Sequence, residues 1–190
     1  MKKVHILLID NFDSFTFNLV HYFELHDCTV EVRRSDDIKN IDIKSYRGVV
    51  LSPGSGLPSE RPEMMNFIKK YVGKIPFLGV CLGHQAIAIH YGAEIYNMNK
   101  VKHGFQTNVT RQGNSLLFEG VPHEFKVGLY HSWAVKYMDD FKLKTTLIDQ
   151  DNTIMAMENK KEKVYTVQFH PESILTENGK KIIYNYLQCL

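Results

Sequence analysis

Short apolar runs alternate with helix-like segments through the N-terminal half of this chain. The runs at Gly48–Leu51 (GVVL) and Pro76–Val80 (PFLGV) carry no charged residue, which predicts strands that are buried on both faces. In several intervening segments, apolar residues recur every three or four positions, as they do along one face of a helix. This order of elements predicts an α/β fold with a mostly parallel central sheet and helices on both faces. The predicted strands are Val4–Ile9, Cys28–Val32, Gly48–Leu51 and Pro76–Val80, and the predicted helices contain Phe15–Phe23, begin at Pro62 and cover Gln85–Tyr91.

The C-terminal half has more strand and turn character and ends in an amphipathic segment, Ile182–Leu190. Apolar residues recur at helical spacing in that segment, which predicts a last helix. No linker or repeat interrupts the chain, and 190 residues suit one hydrophobic core, so we predict a single domain over residues 1–190. The predicted strands of this half are Gln106–Thr110, Phe125–Leu129, Leu143–Ile148, Thr153–Met157 and Val164–Phe169.

Charge, hydropathy and cysteine count narrow the class of protein. A formal charge of +2 without a dense cluster of Lys and Arg argues against nucleic-acid binding. No apolar stretch approaches the roughly 20 residues that span a bilayer. The run Val4–Ile9 is short and ends at Asp10, so it fits a buried strand better than a signal peptide. Three cysteines without metal or redox spacing favour a reducing compartment, and we expect a cytoplasmic protein.

Two glycines bracket Cys81 in the sequence Gly79-Val80-Cys81-Leu82-Gly83, between a predicted strand and a predicted helix. With serine in place of cysteine, this arrangement is a nucleophile elbow. The glycines let neighbouring backbone pass close by, and the positive end of the helix favours thiolate over thiol. The backbone N–H of Leu82 would point at a developing oxyanion. The alternative is that Cys81 is a small buried hydrophobic residue, which is how we interpret Cys28 and Cys189.

His170 is the best candidate for a partner of Cys81, because it follows the predicted strand Val164–Phe169. In a parallel sheet, catalytic groups gather at the carboxyl ends of the strands, and Cys81 lies at such an end too. Glu172 is placed to hydrogen-bond the far nitrogen of the imidazole and to hold its tautomer. By itself, His-Pro-Glu is also compatible with a turn that carries a solvated carboxylate. The spacing of histidines and cysteines predicts no metal site.

The loop Ser52–Pro58 (SPGSGLP) follows a predicted strand and is rich in turn formers. It lacks the Gly-Lys-Ser/Thr of a phosphate-binding loop and does not match the dinucleotide fingerprint. The loop is either a surface turn or a source of backbone N–H groups for the second half of an oxyanion hole. The residues alone leave both interpretations open.

Several motifs occur in one order along almost the whole chain, and together they resemble the class I, triad-type glutamine amidotransferases. GVCLGHQ with a distant FHPES is the most specific pair, and the DNFDSFT opening favours the branch that uses chorismate. Within that branch the chain is similar to the glutaminase subunits of anthranilate synthase and aminodeoxychorismate synthase. The motifs are DNFDSFTFNLV at 10–20, LSPGSGLPSE at 51–60, GVCLGHQAI at 79–87, KVKHG at 100–104, YHSWAV at 130–135 and QFHPESILT at 168–176.

The resemblance implies a flavodoxin-like α/β fold and a Cys81–His170–Glu172 triad that forms a γ-glutamyl thioester. It implies oxyanion donors from the backbone of Gly54 and Leu82. The substrate would be L-glutamine, and the partner a chorismate-binding synthase subunit that holds Mg²⁺ and receives the ammonia, with no cofactor in this chain. The residues implied to bind glutamine are Gly54, Ser55, Gly56, Gln85, Ser132 and Trp133.

Two positions depart from the family pattern. Ser55 stands where the family usually has the second proline of Pro-Gly-Pro-Gly, and this restores a backbone N–H and frees φ. We therefore expect a more mobile oxyanion loop. Trp133 stands in place of leucine, and we expect its bulk either to narrow the glutamine pocket or to seal the interface with the partner.

Two other functions compete with glutaminase activity. One is a different cysteine hydrolase on the same elbow, such as a peptidase or γ-glutamyl hydrolase. The other is a catalytically silent subunit that regulates a synthase. The glutamine-specific loop residues argue against the first, and the intact set of Cys81, His170 and Glu172 argues against the second.

Overall fold

The structure, a computed structural model, describes residues 3–138 and 141–190. Met1 and Lys2, the first two residues of the predicted domain, lie outside the described residues. The described residues form one sheet of 9 strands with four α-helices packed on it. The strands are β1 (Val4–Asn11), β2 (Cys28–Arg34), β3 (Gly48–Gly54), β4 (Phe77–Val80), β5 (Ile95–Arg111), β6 (Glu124–Val135), β7 (Lys144–Asp149), β8 (Ile154–Asn159) and β9 (Val164–Val167). The helices are α1 (Thr16–Glu24), α2 (Pro62–Tyr71), α3 (Leu82–His90) and α4 (Gly179–Gln188).

The strand order across the sheet is β2-β1-β3-β4-β9-β8-β7-β5-β6. The first five strands in this order, β2, β1, β3, β4 and β9, pair in parallel. The other four, β8, β7, β5 and β6, extend the sheet with antiparallel pairs. Three of the parallel strands, β1, β3 and β4, come from apolar runs of the N-terminal half whose side chains are largely buried, and the parallel strand β9 comes from the C-terminal half. The predicted α/β fold class is confirmed.

The helices lie on both faces of the sheet and divide the core into two layers. Apolar residues of α1 and α4 pack with one set of strand side chains, and those of α2 and α3 pack with the other set. Within β1, Ile6 and Leu8 face the first layer, whereas Leu7 and Ile9 face the second, as the alternation of side chains along a strand requires. In the described part of the chain, no helix is both long and apolar enough to cross a membrane.

Two predicted boundaries differ from the structure in ways that matter for the site. The helix predicted at Gln85–Tyr91 begins at Leu82, directly after Cys81. The strand predicted at Gln106–Thr110 is the end of a longer strand, β5, that starts at Ile95. The pairing of β5 with β6 is irregular between Asn97 and Phe105, so the sequence there lacks the regular alternation that would identify a strand.

Candidate active site

Cys81 occupies a tight turn between β4 and α3, and its backbone has φ 51° and ψ −100°. A positive φ is unfavourable for a residue with a side chain, so surrounding interactions must hold this conformation. The N–H of Cys81 donates to the carbonyl of Val167 at 2.9 Å, and the Cys81 carbonyl accepts from the N–H of Gln85 at 3.1 Å. The turn therefore anchors Cys81 to both the neighbouring strand β9 and the first turn of the helix.

Both flanking glycines are sterically required. A Cβ atom on Gly79 would lie 2.6 Å from the carbonyl oxygen of Gly83. A Cβ atom on Gly83 would lie 2.6 Å from the Cβ and 2.7 Å from the carbonyl oxygen of Leu51 in β3. The close backbone approach that the sequence predicted around Cys81 is confirmed.

His170 and Glu172 follow β9, which pairs in parallel with β4 through Val80 and Val167. This register places Cys81 and His170 at the same edge of the sheet, because both follow strands that end there. The Nδ1–H of His170 donates to Oε1 of Glu172 at 2.7 Å, and both residues are buried. The ring of Tyr130 packs against the imidazole with its centroid 4.9 Å away.

The neighbouring Cys81 and the carboxylate of Glu172 favour the protonated form of His170. Burial of the imidazole lowers its pKa, but attraction to the Cys81 sulfur and the hydrogen bond with Glu172 outweigh burial and raise the pKa of His170 well above 6.5. The second ring nitrogen, Nε2, is buried and makes no hydrogen bond of normal geometry within residues 3–138 and 141–190. An imidazolium Nε2–H in a pocket that Cys81 also lines is suited to protonating a leaving amine.

Cys81 and His170 line one pocket of about 410 Å³. The residues predicted to bind glutamine line it too, namely Gly54, Ser55, Gly56, Gln85, Ser132 and Trp133. The side chain of Leu82 is buried, so Leu82 can take part only through its backbone N–H, which has no partner within its own helix. The catalytic, oxyanion and glutamine-binding roles stay predictions.

The glycine-rich loop Ser52–Pro58 lies against the start of α3. A Cβ atom on Gly54 would lie 2.6 Å from the Cβ of Asn11 and 2.8 Å from Cδ2 of Leu82. The two predicted oxyanion residues, Gly54 and Leu82, are therefore neighbours. The loop is also held by the end of β1, because Nδ2 of Asn11 donates to the carbonyl of Ser52 at 2.9 Å. Of the two interpretations of this loop, its position at the pocket favours the oxyanion role over a plain surface turn.

A hydrogen-bond network orders the segment Ser132–Trp133. The carbonyl of Trp133 accepts from Nε2 of Gln85 at 2.9 Å and from Nδ1 of His131 at 2.9 Å. Burial lowers the pKa of His131 to about 4, so its ring is neutral and carries its proton on Nδ1. Because a carbonyl has two lone pairs, that of Trp133 has none left for a ligand. Any contact from Ser132–Trp133 to glutamine must come from other atoms of the segment.

Sequence reasoning assigned no role to several other residues that line the pocket. Asp13, His103, Tyr130 and His131 belong to motifs that carried the family resemblance, but their spacing alone gave no chemical reason to select them. Gln168 was likewise part of a motif without an assigned role, and it accepts from Nε2 of Gln85 at 3.1 Å.

Comparison with known proteins defines the class of this protein. The family described as "Glutamine amidotransferase class-I" matches residues 7–189. The chain therefore belongs to the class I glutamine amidotransferases, and it is a glutamine amidotransferase enzyme, as the motifs predicted.

Among curated relatives, the chain is similar to component 2 of two synthases. It is 40% identical over 189 residues to anthranilate synthase component 2 of Saccharolobus solfataricus, covering 95% of this chain and 96% of the relative. It is 38% identical over 186 residues to aminodeoxychorismate synthase component 2 of Escherichia coli, covering 96% and 98%. A solved glutamine amidotransferase from Thermotoga maritima shares the fold, with a TM-score of 0.79, 16% identity and coverage of 100% of this chain and 96% of that one.

Proposed function

We propose that this enzyme is the glutaminase subunit of a chorismate-using synthase, to which it delivers ammonia released from L-glutamine. One observation carries the chemistry of this proposal. His170 donates to Glu172 at 2.7 Å and shares a pocket with Cys81, so a nucleophile, an acid–base group and an orienting carboxylate meet at one place.

The first half of the proposed reaction releases ammonia. The Cys81 thiolate attacks the side-chain amide carbon of glutamine, and the negative charge moves to the amide oxygen. Backbone N–H groups of Gly54 and Leu82 stabilise this oxyanion. When the oxyanion collapses, the C–N bond breaks and Nε2–H of His170 protonates the departing nitrogen. The products are ammonia and a γ-glutamyl thioester on Cys81.

The second half regenerates the enzyme. Neutral His170 takes a proton from water as the resulting hydroxide attacks the thioester carbon. A second oxyanion forms in the same place, and its collapse breaks the C–S bond. Glutamate leaves, and Cys81 and His170 return to the thiolate and imidazolium forms. The sum of both halves is glutamine plus water giving glutamate plus ammonia.

The proposed partner is the chorismate-binding subunit of an anthranilate or aminodeoxychorismate synthase, because relatives of both kinds are similar to this chain at 40% and 38% identity. Large exposed apolar side chains that are close in sequence to pocket-lining residues also support a docking partner. Each lies within a few residues along the chain of one that lines the pocket, and they are Phe12, Phe17, Val101, Phe105 and Ile174. Exposed apolar side chains that form a contiguous patch are typical of a protein interface.

We propose that this chain works without a cofactor and that Mg²⁺ belongs to the partner. The chemistry above uses only a thiol, an imidazole, a carboxylate, backbone N–H groups and water. In the described part of the chain, no group of three or more His, Cys, Asp or Glu side chains is arranged to hold a metal ion. We also propose a cytoplasmic location, since all three cysteines are free thiols.

The proposal is tested with the chain bound to its synthase partner. Cys81→Ala should abolish synthesis that depends on glutamine and leave synthesis from added ammonium salts intact. Cys28→Ala, a change of the same kind at a buried cysteine that does not line the pocket, should keep both activities. Loss of both activities in Cys81→Ala would mean that Cys81 supports the fold or the assembly, and retention of both would rule it out as the nucleophile.

The two competing functions are separated by two further measurements. A peptidase or γ-glutamyl hydrolase would turn over γ-glutamyl peptides faster than glutamine. A silent regulatory subunit would bind its partner but release no glutamate from glutamine at any concentration of the complex.

A further inference from the structure

Gln168 is a fully buried amide between β9 and His170 that contacts the pocket only through another side chain. Its backbone N–H donates to the carbonyl of Met155 at 2.8 Å, which fixes its position beside β8. Its Oε1 accepts from Nε2 of Gln85 at 3.1 Å. Gln168 itself does not line the pocket, whereas Gln85 does.

The contact with Gln168 occupies one of the two hydrogens on the amide nitrogen of Gln85. A primary amide nitrogen carries two hydrogens. Nε2 of Gln85 donates one to the carbonyl of Trp133 at 2.9 Å and the other to Oε1 of Gln168 at 3.1 Å. Both hydrogens are used inside the protein, so the only hydrogen-bonding atom that Gln85 can offer to a ligand is its acceptor, Oε1.

We infer that Gln168 is a positioning residue that holds the amide of Gln85 so that its carbonyl oxygen faces the bound substrate. This inference rests on the proposed function, in which glutamine occupies the pocket. The ligand atoms that this oxygen fits are N–H donors, and glutamine has them in its α-ammonium and side-chain amide groups. Without an acceptor at residue 168, one hydrogen bond, to the Trp133 carbonyl, holds the Gln85 amide instead of two, so the amide turns more easily about its last torsion and presents its nitrogen.

The buried side chain of Gln168 is energetically unfavourable by itself, and this supports a functional role. Because Gln168 must turn Oε1 towards Gln85, its own Nε2 is a buried donor, and it has no partner within residues 3–138 and 141–190. A buried donor without a partner is unfavourable, and an apolar side chain of the same shape would fill the space without this penalty. Packing alone therefore does not account for an amide at this position.

The test is the rate at which a diazo ketone analogue of glutamine labels Cys81, followed by intact mass and peptide mapping. Gln168→Leu should raise the half-saturating concentration of the analogue about tenfold, the effect of one lost buried hydrogen bond, and leave the limiting rate within about twofold. Gln168→Glu keeps an acceptor of the same shape and should restore most of the affinity. In a Gln85→Ala background, Gln168→Leu should have no further effect, because it acts only through Gln85.

Asn185→Leu is the matched control, because Asn185 is also a buried amide whose Nδ2 donates to two carbonyls, those of Leu117 and Glu119, but it does not line the pocket. It should lower stability and leave the half-saturating concentration unchanged. Labelling by iodoacetamide, which does not need the glutamine site, should be equally fast at Cys81 in wild type and Gln168→Leu.

Three results would overturn the inference. They are an unchanged half-saturating concentration in Gln168→Leu, slower labelling by both reagents, and independent, multiplicative effects of the changes at Gln85 and Gln168. Failure of the proposed function gives a different result, since wild-type protein itself would then show no saturable labelling by the analogue.

Discussion

Replacing Gly83 by alanine should damage both stability and catalysis, because its neighbour is rigid backbone. The new Cβ would lie 2.6 Å from the Cβ and 2.7 Å from the carbonyl oxygen of Leu51. Carbon atoms in contact prefer about 3.5–4.0 Å, so α3 must move away from β3 by about 1 Å. Overpacking of this kind costs about 2 kcal/mol, which lowers Tm by about 6 °C in a chain of this size.

The same movement should slow catalysis, because the N–H of Leu82 is carried on α3 and is aimed at the oxyanion. We expect a fall of about 100-fold in kcat, the effect of losing one oxyanion donor. Thermal unfolding and glutamate release by the partner complex measure the two effects.

Gly92→Ala is the matched control for Gly83→Ala. It creates strain at φ +98° but places its Cβ where nothing lies within 4 Å. It should therefore lower Tm without lowering kcat. A Gly83→Ala variant with kcat within twofold of wild type would refute the argument that elbow packing positions the oxyanion donor.

Three further predictions follow from the charged groups. Glu172→Gln should lower kcat about 100-fold and move the alkaline limb of the pH–rate profile to lower pH, because the carboxylate raises the pKa of His170; an unmoved limb would contradict this. Since the pKa of His170 is raised, the imidazolium should contribute stability that is complete below about pH 6.5 and is lost as pH rises through the raised pKa. The difference in unfolding free energy between wild type and His170→Gln should therefore shrink as pH rises over that range. A constant difference would be evidence against the ion pair between His170 and Glu172. Lys102→Met should lower the free energy of unfolding in chemical denaturation by about 3 kcal/mol, because it leaves the buried carboxylate of Asp149 without its 2.6 Å partner. The control Lys136→Met breaks an exposed pair with Glu94 and should lower the free energy of unfolding by less than about 1 kcal/mol. Equal decreases in the two variants would mean that burial does not set the difference.

Much of the parallel half of the fold is predictable from sequence, because its signals are local. Continuous apolar runs identify β1, β3 and β4, and the glycines around Cys81 mark the turn into α3. In the antiparallel half, β7 and β8 lie close to the predicted strands Leu143–Ile148 and Thr153–Met157, but only the end of β5 was predicted. Much of the N-terminal part of β5 is exposed and its pairing with β6 is irregular, so it shows no sustained alternation of apolar and polar residues.

The residues of the candidate site also differ in whether the sequence alone can identify them. Cys81, His170 and Glu172 each stand in a short motif with a chemical reason for its spacing, so the amino-acid sequence is enough to select them. The network of Gln85, Gln168 and Trp133 cannot be selected in this way. Its hydrogen bonds join residues that are 83 and 48 positions apart, and only the packing of α3 against β9 and β6 brings them together.

The central claim, that Cys81 forms a covalent glutamyl intermediate with the help of His170, is tested most directly by acid quench during turnover of isotopically labelled glutamine. Mass spectrometry should find the label on the peptide that contains Cys81, in a bond that hydroxylamine cleaves, and should find none in Cys81→Ala. Turnover at the wild-type rate with no label on Cys81, or with the label on another residue, would contradict the account.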